Sequence, residues 1–132
     1  MAIKIYIDQG HNPQAPNAGA EGNGLVEQDI TYEVGTRLAE LLRSNGNFEV
    51  RLSRPTPETS LGTSNATSLR ARVDGANSWG ADYFVSIHAN ASTNSSVSGS
   101  EANLYFRCQG RLLLEVSRRL ISFCCESVNA VY

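Results

Sequence analysis

The chain of 132 residues and 14.3 kDa has room for one domain and hardly for two. Its hydrophobic fraction of 41% is enough for a core that folds without help from metal or disulfides. With 11 basic and 13 acidic residues the formal charge is -2, which excludes a strongly basic nucleic-acid surface and a polybasic membrane anchor.

The first eight residues lack the ordered basic region, apolar stretch and cleavage site of a secretory signal. Ile3 to Asp8 instead alternates β-branched and other residues, which predicts a strand running into a loop. Residues 9–25 are rich in glycine and asparagine and include Pro13 and Pro16. A loop this long in a small domain is usually functional. Residues 27–45 then follow a helical period, with Ile30, Val34, Leu38, Leu41 and Leu42 on one face and Asn45-Gly46 as the stop. Residues 48–52 alternate as a half-buried strand.

Residues 54–65 read as a polar loop, and a second helix is expected over about 66–79, capped by Ser64 or Asn65, with Leu69, Val73 and Ala76 on one face. Tyr83 to Ile87 is a short apolar run suited to a buried strand, with His88 at its end. A polar loop covers 90–100, another strand is expected over 102–107, and Leu112, Val116, Leu120 and Phe123 suggest a third helix from 112 to about 128. No run reaches the roughly 18 apolar residues of a membrane helix. Cys108, Cys124 and Cys125 are odd in number and include an adjacent pair, so free thiols are expected rather than disulfides or a thiolate zinc knot. The order of elements predicts a single α/β domain with a mostly parallel twisted sheet flanked by helices.

His11 and His88 are the only histidines, and each follows a predicted strand. In a parallel sheet both then lie at the carboxyl edge, where sites of such folds are found. Glu27, at the first turn of the first helix, returns toward that edge at the close of the glycine loop. Two imidazoles and a carboxylate can fill three positions of a tetrahedral zinc and leave the fourth to water. Each residue also has a plainer reading: a histidine after a strand can simply bond a loop, and a glutamate at a helix N-terminus is favourable on its own. A phosphate cradle at Gly19–Gly24 is disfavoured because the spacing is that of neither a dinucleotide fingerprint nor a P-loop. Ser86 lacks a Gly-x-Ser-x-Gly elbow, which disfavours a serine hydrolase.

Several blocks, in order along the chain, resemble one family. Ile7-Asp8-Gln9-Gly10-His11 is similar to the opening I-D-x-G-H of the zinc-dependent type 3 N-acetylmuramoyl-L-alanine amidases. Gly24-Leu25-Val26-Glu27-Gln28-Asp29 resembles G-x-x-E-x-D, and Ser53-Arg54 resembles the family's strand end. Leu69 to Asn77 resembles L-x-x-R-x-x-x-A-N, Ala81 to Ala91 resembles A-D-x-F-x-S-I-H-x-N-A, and Gly99-Ser100-Glu101 resembles G-x-E.

The resemblance runs over residues 3–107. It implies zinc held by His11, Glu27 and His88, and cleavage of the amide between N-acetylmuramic acid and L-alanine of the peptidoglycan stem peptide. It implies action on the cell wall as an autolysin or endolysin, reached by release or export, with peptidoglycan as partner, no nucleic acid and no membrane insertion. Asn90, two residues past His88, is a candidate for holding substrate or backing a ligand, or for capping its loop. Arg72 is expected to be a structural helix residue that pairs with a loop carboxylate.

Residues 108–132 depart from the family pattern as a divergent or truncated tail. The family continues with a strand reading about V-x-V-E-x-G-[FY], whose glutamate is the general acid/base, and a last helix. The nearest string here is Leu112-Leu113-Leu114-Glu115-Val116, which makes Glu115 the catalytic candidate. The departure leaves open a zinc-containing peptidoglycan-binding module or an incomplete amidase fragment without turnover, without the family's last strand and helix. Such a fragment would self-associate through its incomplete sheet.

Overall fold

The computed structural model describes residues 1–90, 96 and 99 and the backbone of 105–108 and 111–114. The first strand, β1 (Ile3–Gln9), is the middle one of the three parallel strands in a five-stranded sheet. It pairs in parallel with β4 (Phe48–Leu52) on one side and β5 (Tyr83–Ile87) on the other. Beyond β5 the sheet continues antiparallel through β6 (Tyr105–Cys108) and β7 (Arg111–Leu114), in the order β4-β1-β5-β6-β7. Two helices fill the connections between the parallel strands, α1 (Glu27–Ser44) and α2 (Asn65–Trp79).

The period of two in β1 explains the layering. Its odd residues Ile5 and Ile7 face one side and pack with Ala39, Val50 and Ile87, against which Val34, Leu38 and Leu42 of α1 are laid. Its even residue Tyr6 faces the other side and packs with Ala76, Ala81, Trp79 and Phe84, so α2 covers that face. A strand buried on both faces is a continuous apolar run rather than an alternating one. Here the alternation is between aliphatic and larger polar or aromatic residues.

The long loop expected over 9–25 contains a small hairpin, β2 (Glu21–Gly22) with β3 (Leu25–Val26). The helix α1 starts without a side-chain cap; the Glu27 amide instead donates to the carbonyl of Ala20 at 2.9 Å. The start of α2 is a full capping box between Ser64 and Thr67, and Gly80 ends it in a left-handed conformation.

One expectation is corrected. Leu112 to Leu114 do not begin a helix; they belong to β7, in register with β6 from Tyr105↔Leu114 to Cys108↔Arg111. A three-leucine run satisfies either period, and the partner strand decides between them. The rest of the expected third helix, residues 115–128, lies outside the described residues, as do residues 102–104 of the expected strand.

Candidate metal centre

The register of the parallel strands creates the site. Gln9 pairs with Ile87, and the next step of the ladder is a bond from the Gly10 amide to the Ile87 carbonyl at 3.0 Å. The residues that follow, His11 and His88, therefore emerge side by side at the carboxyl end of the sheet. Close approach demands glycine at position 10: a Cβ there would lie 2.5 Å from the Ile87 carbonyl oxygen and 2.6 Å from Cε1 of His88. His11 itself is left-handed, at φ 66.

Glu27 reaches the same point from the first turn of α1. Its Oε2 accepts from the Ala20 amide at 3.1 Å, and its Oε1 accepts from the Ala89 amide at 2.9 Å. The loop that carries it back is pinned by Gln28, whose Oε1 accepts from the Gly19 amide at 3.0 Å. These bonds occupy two of the amides that a phosphate cradle at Gly19–Gly24 would need, which counts further against that reading.

Three potential ligand atoms face one another. Nε2 of His11 lies 3.1 Å from Glu27 Oε1, Nδ1 of His88 lies 3.3 Å from the same oxygen, and the two nitrogens are 3.1 Å apart. A tetrahedral ion with bonds of about 2.0–2.1 Å has ligand–ligand edges of roughly 3.3–3.4 Å. The triangle is thus close to one face of a zinc coordination shell. Without an ion, two nitrogen lone pairs and a carboxylate converge, and one proton can bridge only one pair. The donor set, two imidazoles and a carboxylate, suits zinc. The side chains of His11 and His88 are 19% and 24% exposed while that of Glu27 is 8%, so the cluster is open to solvent on its imidazole side.

The surroundings favour the ligating forms. Burial alone would raise the Glu27 carboxyl, but the amides of Ala89 and Ala20 and then the two imidazoles outweigh it and hold it below the usual carboxylate range. Burial, followed by the nearby His11, lowers His88 from the usual imidazole range and keeps it neutral, against the opposing pull of Asp8 and Glu27. The buried Nδ1 of His11 has no hydrogen-bond partner among the described residues.

The structure therefore brings His11, Glu27 and His88 together. Asn90 is exposed two residues beyond His88 and is not part of the triangle. Glu115 lies outside the described residues. Arg72 does pair with a carboxylate, but that of Asp8, on β1 and not on a loop, at 2.6 Å and buried. Sequence reasoning missed the backbone donors of Ala20 and Ala89 and the loop anchors Asn12 and Gln28. Asn12 is fully buried and bonds the carbonyls of Pro16 and Leu61. The one usable signal was Gly10 directly before His11.

Among known proteins, residues 5–120 match the family model described as N-acetylmuramoyl-L-alanine amidase, a span that includes Glu115. The chain is 43% identical over 90 residues to the N-acetylmuramoyl-L-alanine amidase CwlM of Bacillus licheniformis, covering 67% of this chain and 32% of that protein. It is 43% identical over 99 residues to the amidase LytC of Bacillus subtilis, covering 74% of this chain and 18% of the relative. Among solved structures, the catalytic domain of CwlV from Paenibacillus polymyxa var. colistinus superposes with a TM-score of 0.62 at 31% identity, covering 76% of this chain and 52% of that one. An N-acetylmuramoyl-L-alanine amidase from Clostridium difficile gives 0.62 at 29% identity, over 77% and 51%. The chain thus spans a third or less of these two curated relatives and about half of these solved chains.

Proposed function

The chain belongs to the N-acetylmuramoyl-L-alanine amidase family, and from that premise we propose that it is a zinc-dependent peptidoglycan hydrolase. Its bond is the amide between N-acetylmuramic acid and L-alanine of the stem peptide, and it acts on the cell wall. The observation that carries this reading is the 3.1–3.3 Å triangle of His11 Nε2, Glu27 Oε1 and His88 Nδ1 at the open end of the sheet.

In this reading His11, Glu27 and His88 hold the ion. When bound, the metal supplies Lewis-acid polarisation of the amide carbonyl and lowers the pKa of water toward about 7. The chain's own residues do the rest. Neutral His88 and anionic Glu27 supply lone pairs without first losing a proton. Glu27 would bring the only negative charge of the three ligands, so the set would leave a bound dication net positive. In the same reading Asn90, exposed two residues beyond His88, holds substrate or backs the ligand. The leaving amine needs a proton, and Glu115 is the proposed donor on the strength of the string Leu113-Leu114-Glu115.

The test combines metal content with product chemistry. The purified chain should carry about one zinc per molecule and release new L-alanine amino termini from peptidoglycan. Metal bound without any release would replace this reading with a binding module. Glu115→Gln should lower turnover by about 10²–10⁴-fold while leaving metal content unchanged.

A further inference from the structure

A charge buried beside the three ligand candidates does not belong to them. Arg72, on α2, is 1% exposed, and its guanidinium reaches the end of β1 from the opposite layer. Nη1 donates to Asp8 Oδ1 at 2.6 Å and to the Gln9 carbonyl at 2.8 Å, with Ser53 Oγ at 3.5 Å. Nη2 donates to the His11 carbonyl at 2.7 Å and to Asn12 Oδ1 at 2.9 Å. One planar group thus grips the peptide oxygens on both sides of Gly10 and the side chain that follows His11.

We infer that Arg72 is a positioning residue for the metal site: it fixes the left-handed His11 backbone so that Nε2 points at Glu27 and His88. A non-glycine residue at φ 66 is uncommon and is favoured where its surroundings restrain it. The Arg72 bond to the His11 carbonyl is such a restraint, beside those of Thr31 on the Gly10 carbonyl and of the Asn12 amide on Asn17. The ion partner extends the same network to the second histidine. Asp8 Oδ2 accepts from Ser86 Oγ at 2.8 Å, and Ser86 stands two residues before His88 on β5. Lysine can keep the charge against Asp8, but it cannot reproduce the rigid fork to two carbonyls and an amide oxygen.

This inference rests on the metal reading above, and the experiment separates the two. Zinc affinity of the full chain is measured by competition with a chromophoric chelator, and the site is read independently by the absorption spectrum of bound cobalt(II). Wild type binding no metal would remove the proposed function itself. With wild type binding, Arg72→Lys should weaken zinc by roughly tenfold or more and change the cobalt spectrum, in line with the effect of losing a group that orients a ligand. Val50→Ala, in the core cluster away from the site, should lose thermal stability with zinc affinity intact. If Arg72→Lys does not fold, the neutral pair Asp8→Asn with Arg72→Gln removes the grip without leaving a buried charge and should show the same loss. Wild-type affinity and spectrum in either folded variant, or an equal loss of affinity in Val50→Ala, would overturn the positioning role.

Discussion

At Gly10 one methyl group would meet a backbone carbonyl and the His88 ring at once, and neither is the yielding tip of a flexible side chain. Gly10→Ala should therefore cost about 1–3 kcal/mol by overpacking, read by urea denaturation, and should push His88 out of the triangle so that zinc titration shows weaker binding. Glu27→Gln probes the charge instead of the space. The amide oxygen can still accept from Ala89, but the site loses its anion, and zinc affinity should fall by tenfold or more with the fold kept. At this scale the sequence was informative about identities. The chain has only two histidines, both after predicted strands, and Glu27 stood in a recognisable block. It was silent about what aims them. The amides of Ala20 and Ala89 and the five contacts of Arg72 depend on which strands lie side by side, and that is set by pairings across the whole chain.

The helices show where local signals suffice and where they do not. Ser64 and Thr67 cap each other, so the start of α2 is written in four adjacent residues. Ser64→Ala should cost about 1 kcal/mol in thermal or chemical unfolding, with no change in metal affinity, since the cap lies at the exposed end of α2. The start of α1 has no such code; its first amide is satisfied by the Ala20 carbonyl, a product of the loop's return, and Glu27 and Asp29 add favourable charge to the first turn. The strand β7 is the opposite case. Its three leucines fit helix and strand alike, and the register with β6 settles the matter. The two residues between Cys108 and Arg111 include Gly110, a hairpin cue that the leucine spacing obscured.

At the scale of the molecule, the site joins residues 11, 27 and 88: the loop after β1, the first turn of α1 and the residue that follows β5. An ion held there binds the folded chain and has no comparable triangle in the unfolded one. Its binding free energy therefore appears as folding stability. At free zinc 100-fold above Kd the gain is about 2.7 kcal/mol, and at 1,000-fold about 4.1 kcal/mol. For a domain of this size each kcal/mol moves Tm by about 3–6 °C. Calorimetry should then show a melting temperature on the order of 10 °C higher with zinc than with a chelator. The three cysteines of the chain offer zinc some purchase on the unfolded state, which trims the gain without reversing it. Two variants separate the site from the fold. Glu27→Gln should lose most of the zinc increment while melting near the wild type in chelator. Ile7→Ala, at a fully buried position of β1, should lose about 2–5 kcal/mol in both conditions and keep the increment. An increment that survives Glu27→Gln would place the stabilising ion elsewhere in the chain, because the triangle cannot keep its affinity without its only carboxylate.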